Sequence, residues 1–331
     1  MPRTKSSPAR APRNKKQVRR MWRIGVDLGG TKIEAIALSS EDEAVHRTRV
    51  AAPQGDYAAT LKAVCDLVDS VAAALGDAPI AGVGIGMPGS HSPKTGLVRN
   101  SNSVWLNGTR FENDLRARLR YPLFVENDAN CFALSEAADG AGNGFHSVFG
   151  VILGTGVGGG LVLSGEVVLG RNRLGGEWGH NPLPWPDENE LDAPLCYCGK
   201  RGCIETFLCG PALEDQYQAL SGERVPARTI SERADAGDAK AKAALEIYAR
   251  RLAKSIATVI NIVDPDAIVF GGGISNIPGI FSSARAALPD WVFSDCCMTE
   301  FRINRWGDSS GVRGAARLVS MKNGLPRGEP W

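Results

Sequence analysis

The sequence has 331 residues, 43% hydrophobic and 22% charged, enough for two domains with well-buried cores in an ordinary globular protein. The net charge of +2 hides a split: residues 1–20 hold eight Lys/Arg and no acid, and the rest carries 30 Lys/Arg against 36 Asp/Glu, which argues against a nucleic-acid partner. No apolar run reaches the roughly 18 residues that span a bilayer, so no membrane partner is expected either.

Residues 1–20 lack both the apolar segment of a signal peptide and apolar residues at helical spacing, so a disordered basic tail is expected. Eight cysteines without a secretory leader point to a reducing, cytoplasmic setting. WRIGVDL (22–28) and IEAIAL (33–38) then read as two strands joined by a glycine turn. Tyr57–Leu75 carries a helical stripe through Leu61, Val64, Leu67, Val68, Val71 and Leu75. IAGVGIGM (80–87) is a strand stopped by Pro88-Gly89, Phe111–Leu119 a short helix, and LFVEN (123–127) a short buried strand. That strand runs into a helix over 128–140, with Asp128 at or near its N-cap.

A second strand–turn–strand follows: SVFGVIL (147–153), the turn GTGVGGG, then LVL (161–163). The stretch from 170 to about 203 is irregular, and a loop that long is usually functional or pinned. Ala239–Val263 is a long amphipathic helix through Leu245, Tyr248, Leu252, Ile256, Ile260 and Val263, ended by Asp264-Pro265. AIVFGGG (267–273) is a strand meeting glycines, and GVRGAARLV (311–319) a closing helix. A glycine-turn hairpin thus occurs once in each half, as a duplicated architecture would give.

Two glycine patterns are decoys. GVDLGGTK (25–32) has nearly P-loop spacing, but ends Thr-Lys and runs into a strand rather than a helix. Gly84-x-Gly86-x-x-Gly89 matches a dinucleotide fingerprint, but Pro93 and Gly96 follow and no helix opens. What remains is a pair of hairpin turns with bare amides, GGT at 29–31 and GTG at 154–156. Such amides form anion-binding nests, and Thr31 and Thr155 add hydroxyls.

Asp27-x-Gly29-Gly30-Thr31-Lys32, Glu126-Asn127-Asp128-Ala129-Asn130, Gly154-Thr155-Gly156-x-Gly158-Gly159-Gly160, Glu177-x-x-His180 and Cys196-x-Cys198-Gly199-x-x-Gly202-Cys203-x-Glu205 occur in that order. Together they resemble the ROK family (repressors, open reading frames, kinases), over residues 22 to about 325. The resemblance implies an α/β protein with the two-lobed actin-like ATPase (ribonuclease H-like) fold. One lobe would span 21–127 plus about 307–327, the other 128–306 with a zinc-bound loop at 170–205. It also implies a homodimeric sugar kinase using ATP and Mg²⁺. NSNSVWLNG (100–108), EWGHNPLPW (177–185) and GDSSGVRGAA (307–316) look closest to manno(fructo)kinases, which makes fructose the first expectation and mannose the next. ILGTGVGGG and NDANCFALSEA also look like N-acetylglucosamine kinases, the alternative kept beside glucokinase. A repressor is not expected, because about twenty residues ahead of the first hairpin are too few for a helix-turn-helix domain.

Cys196, Cys198 and Cys203 with His180 supply three thiolates and an imidazole, a closed tetrahedral zinc set; the alternative is unliganded thiols. The resemblance assigns zinc to the same four positions. Such a site would fix Glu177 and Glu205, which flank its ends. Read alone, Asp128 is a plain N-cap; the resemblance makes it the general base on a sugar hydroxyl. The sugar would meet Gly89, Asn102, Asn127, Asp128, Glu177, His180 and Glu205. The ATP phosphates would meet Gly29, Gly30, Thr31, Gly154, Thr155 and Gly156, with Asp27 orienting Mg²⁺ and Gly272 and Gly273 under adenosine. Lys32 belongs to the same turn and is given no catalytic role. Cys65, Cys131, Cys209, Cys296 and Cys297 read as packing residues, and Trp105 suits the sugar site and a core or interface equally.

Overall fold

A computed structural model describes residues 21–320; the expected basic tail and the end of the first expected lobe lie outside the described residues. The first half of the chain supplies β1 (Trp22–Leu28), β2 (Lys32–Leu38), β3 (Ala44–Ala51), α1 (Tyr57–Ala74), β4 (Ile80–Met87), the short pair β5 (Ser90–His91) and β6 (Val98–Arg99), α2 (Phe111–Arg116), β7 (Leu123–Asn127) and α3 (Asp128–Asp139). The second half supplies β8 (Ser147–Leu153), β9 (Val157–Leu163), β10 (Glu166–Val167), α4 (Glu205–Leu208), α5 (Gly210–Ser221), α6 (Ala227–Asp235), α7 (Ala239–Val263), β11 (Ala267–Gly271), α8 (Ile280–Ala287), β12 (Glu300–Ile303) and α9 (Ser310–Arg317). No described helix is long and apolar enough to cross a membrane.

Two five-stranded sheets carry one pattern twice. The first runs β3-β2-β1-β4-β7 and the second β10-β9-β8-β11-β12. In each, a hairpin pair (β1–β2, β8–β9) is antiparallel and two further strands join in parallel (β4 and β7, β11 and β12). Each sheet has its own core. Ile24, Val26, Ile33, Val83 and Ile85 pack with Leu61, Val64 and Val68 of α1. Phe149, Val151, Ile268 and Phe270 pack with Tyr248, Leu252 and Ile256 of α7. Helix α7 keeps the bounds its stripe predicts: Asp238 caps its start by accepting from Lys240 N and Ala241 N, and Asp264 turns left-handed (φ 46°) ahead of Pro265.

The structure departs from the sequence reading in local ways. β9 begins at Val157, so the run Gly158–Gly160 is strand rather than turn. Helix α2 ends at Arg116, three residues short of the expected limit. β3, α5, α6 and α8 carry no assignment in the sequence reading. β3 is an edge strand whose charged, mostly exposed side chains hide its alternation.

Glycines let α9 lie between the first sheet and α3. A Cβ at Gly84 would overlap the Ala315 carbonyl, one at Gly25 the Val312 carbonyl, and one at Gly314 the Cys131 carbonyl. Buried Glu136 of α3 locks the same junction. It accepts from Ala141 N (2.8 Å), Arg305 N (3.0 Å), Trp306 N (3.3 Å) and Ser310 Oγ (2.7 Å), four donors for one buried carboxylate. The N-terminus of α3, which opens the site described next, is therefore held from its far end. Gly84→Ala is expected to destabilise the protein by about 3 kcal/mol or more, because backbone rather than a pliable side chain meets the new methyl. Urea denaturation of the variant checks this.

Candidate active site

A cavity of about 150 Å³ opens where β7 passes into α3, lined from both halves of the chain. Asn127, not Asp128, is the N-cap: its side chain accepts from Ala129 N (2.9 Å) and Asn130 N (3.2 Å). Asp128 stands at the first helical position, where it accepts from Ala129 N (2.9 Å) and faces the cavity. Gly89 (φ 80°) fixes the opposite edge of Asn127, accepting from its Nδ2 at 3.2 Å. A Cβ at Gly89 would sit 2.5 Å from the Arg99 carbonyl, so only glycine fits.

The glycine run of β9 explains how Glu177 reaches the same cavity. An added Cβ at Gly158 would meet Ala129 (3.0 Å), and one at Gly159 would meet the Trp178 ring (2.6 Å). With those faces bare, buried Trp178 packs against the strand and donates Nε1–H to the Gly158 carbonyl (3.0 Å). Its neighbour Glu177 then projects into the cavity. Glu205 ties this wall to the second hairpin: Oε2 accepts from Val157 N (3.1 Å), and Gly156 is bare where a Cβ would crowd that oxygen (2.9 Å).

His180 and the three cysteines converge, with all four ligand atoms within 4.8 Å of one another. Cys196 Sγ lies 3.6 Å from His180 Nδ1, and Cys198 Sγ lies 3.6 Å from Cys203 Sγ. Ligands about 2.0–2.3 Å from a tetrahedral zinc would stand roughly this far apart, so the donor set fits that ion. His180 turns Nδ1 to the thiols and Nε2 to the Tyr197 hydroxyl (3.0 Å), and it also lines the cavity.

All seven expected sugar contacts, Gly89, Asn102, Asn127, Asp128, Glu177, His180 and Glu205, line this one cavity, together with Gly154, Thr155 and Gly156. The other expected nucleotide contacts do not. Gly29, Gly30 and Thr31 form the β1–β2 turn, closed by Gly29 N donating to the Lys32 carbonyl (3.0 Å). Lys32 faces outward and pairs with Asp308 (3.0 Å). Gly272 (φ 83°) lies on the end of β8, where a Cβ would overlap the Leu153 carbonyl, while Gly273 faces open space. Trp105 belongs to the first core and donates to Thr60 Oγ1 (3.1 Å). Cys131 is buried, and Cys65, Cys209 and Cys297 are half-buried, as packing residues would be; Cys296 is exposed and packs against nothing that would hide it.

Acidic groups crowd the site. Burial pushes Asp128 up to about 6, helped by the negative Glu177 and opposed by the Ala129 N–H. Burial, then the charges of Asp128 and Glu34, push Asp27 up to about 7. Glu177 is also raised, by burial and by Glu205, with His180 pulling the other way. Carboxylates held so close call for cations or hydroxyl donors between them.

Sequence reasoning misses three contributors. Glu126 is buried and bonds Arg173 (2.8 Å), Asn127 N (3.0 Å) and Asn130 Nδ2 (3.1 Å), so it sets the strand end that carries Asp128. Arg173, at φ 51°, links that strand to the loop before Glu177. Tyr197 lies between two of the clustered thiols and lines the cavity. Glu126 opens the 126–130 motif and Tyr197 sits inside the cysteine motif, so both have a signal in the sequence, though neither position declares its contacts; Arg173 has none.

The ROK family profile matches residues 23–322. Curated relatives include the N-acetyl-D-glucosamine kinase of Escherichia coli O157:H7, 39% identical over 298 residues (89% of this chain, 98% of the relative), and that of Pasteurella multocida (strain Pm70), 37% identical over 308 residues (91% and 100%). Among solved structures, the ROK hexokinase of Thermus thermophilus superposes with a TM-score of 0.77 at 30% identity, covering 89% of this chain and 97% of that one. The ROK family glucokinase of Streptomyces griseus, solved with glucose and AMPPNP, gives 0.73 at 28% identity, covering 90% and 98%. Five motifs carried by two repeated sheets and the irregular loop beside them, and a profile spanning nearly the whole described chain, lead to one conclusion: this protein belongs to the ROK family.

Proposed function

We propose that the protein is an ATP-dependent hexose kinase that phosphorylates the 6-hydroxyl of its sugar. The observation that carries this reading is Asp128, uncapped and facing a cavity that also holds Glu177, His180, Glu205 and the amide-rich turn at Thr155. Asp128 would accept the hydroxyl proton as the oxygen attacks the γ-phosphorus. Asn127 and Asn102 would orient the sugar, and Glu177 and Glu205 would accept from its other hydroxyls. The amides of 29–31 and 154–156, with Thr31 and Thr155, would hold the phosphates, and Gly272 and Gly273 would lie under the adenosine. Asp27 would hold Mg²⁺ through water, and the ion would offset the phosphate charge. His180, Cys196, Cys198 and Cys203 would hold a zinc ion, which supplies cross-linking of the loop rather than chemistry. We read the chain as two lobes, 21–127 with 307 onward and 128–306, a division supported by the two separate cores.

The sugar is where the sequence expectation changes. Fructose stood first there; the curated relatives are N-acetylglucosamine kinases, and a structural relative is a glucokinase, which support an aldohexose of that kind instead. A second reading, an unsubstituted hexose such as fructose or mannose, is supported by the resemblance of the stretches at 100–108, 177–185 and 307–316 to manno(fructo)kinases. A panel of hexoses and 2-acetamidohexoses with ATP and Mg²⁺, read as ADP release, separates the two. Absence of sugar-dependent ADP release with every member would refute the kinase reading.

Asp128→Asn should lower kcat by about 10²–10⁴-fold with the melting temperature unchanged. Turnover near wild type would remove Asp128 as the base. A base must be ionised to act, so with its carboxyl near 6 activity is present above that pH and lost below it. In the wild type kcat/KM should therefore fall about tenfold per pH unit below about pH 6, measured at saturating ATP. Cys198→Ser should lose bound zinc, measured by elemental analysis, and sugar phosphorylation together. Full activity in metal-free protein would contradict the loop-ordering role.

A further inference from the structure

The cavity around Asp128 adjoins a second, wider one of about 950 Å³, and the two share four lining residues: Asn100, Glu177, His180 and Tyr197. These side chains stand between the two cavities. Glu177 is held by Trp178 lying on β9, and His180 by the thiol cluster. Tyr197 contributes the largest ring. Its backbone is fixed by neighbours on both sides: Cys196 and Cys198 belong to the cluster, and Cys196 N donates to the Lys200 carbonyl (2.8 Å) in a tight turn. The ring stands edge-on to His180 (centroids 5.2 Å apart, 81°), with its hydroxyl 3.0 Å from His180 Nε2. It is 61% exposed, so it is a free-standing wall rather than part of a core.

We propose that Tyr197 is a specificity-determining residue that limits the substituent a hexose may carry on the ring end remote from its 6-hydroxyl. The inference rests on the kinase reading above. A hexose with its 6-hydroxyl on Asp128 directs its other end to the remaining walls, and the wall toward the wide groove is Tyr197. With the ring in place, the room left for a group such as a 2-acetamido substituent ends at the partition. With the ring removed, pocket and groove become continuous, and the substituent gains space lined by Asn100, Ser101 and Leu174. The hydroxyl orients the ring through His180; the ring itself does the excluding.

The test compares wild type, Tyr197→Ala, Tyr197→Phe and Tyr197→Trp, using glucose and N-acetylglucosamine as probes. Kd is measured by calorimetry, kcat/KM by ADP release, and zinc per chain by elemental analysis. In Tyr197→Ala the preference for N-acetylglucosamine over glucose should rise about tenfold or more, in the range that one added group in a pocket commands. Tyr197→Phe should leave the ratio near wild type, and Tyr197→Trp should lower it. An unchanged Kd ratio in Tyr197→Ala that retains its zinc overturns the proposal. If that variant loses its metal, an unchanged ratio in Tyr197→Trp overturns it instead. Sugar binding without ADP release in the wild type would sink the kinase reading alone, because the Kd ratio still decides the role of Tyr197.

Discussion

The convergence of His180, Cys196, Cys198 and Cys203 within 4.8 Å is the constraint on which the site depends. These residues close an irregular segment that would otherwise carry the ordering entropy of some thirty residues. A zinc ion held there would contribute on the order of 10 kcal/mol, against roughly 30–60 kcal/mol for ordering that much backbone. The segment carries Glu177 at one end and Glu205 at the other, and Glu205 reaches across to Val157 N beside the second glycine turn. One cluster therefore sets two carboxylates and, through Glu205, the hairpin that would receive phosphate.

Bare backbone is the second theme. Glycines in β1, β4 and α9 remove the side chains that would hold α9 off the first sheet, and glycines in β9 let α3 and Trp178 lie against the strand from its two faces. Close approach of backbone to backbone leaves little room for relative adjustment, so distant elements are held in register. Asp128 inherits its place from this packing. Its helix is fixed at the far end by Glu136 and at the near end by Asn127 and Glu126. A carboxylate so placed, with its capping duty taken by Asn127, is available for proton transfer in a way a helix cap is not.

Much of this was legible in the sequence. The helices at 57–74 and 239–263 declared themselves through long apolar stripes, and the duplicated hairpins through branched runs on either side of glycines. The thiol–imidazole set was visible because its ligands lie within a short window, and the carboxylates because they flank it. What stayed hidden depends on partners remote in sequence. Gly158–Gly160 looks like a turn until α3 and Trp178 are placed on either face. Glu126 and Arg173 meet across 47 residues, and no local pattern announces the pair. Asn127 and Asp128 are both good caps, and only the backbone bonds show which one serves. Tyr197 reads as a spacer between ligands until its ring is seen between two cavities. The preferred sugar is hidden for a related reason: it follows from the shape of a space bounded by several segments.

The central claim is that the hexose lies between Asp128 and the carboxylates braced by the thiol cluster. A crystal structure of the protein with its sugar and a non-hydrolysable ATP analogue tests it most directly. The account predicts the 6-hydroxyl within about 2.6–3.2 Å of an Asp128 oxygen, with ring hydroxyls on Glu177 and Glu205. A sugar bound elsewhere, or bound there with Asp128 beyond hydrogen-bond reach, would contradict it.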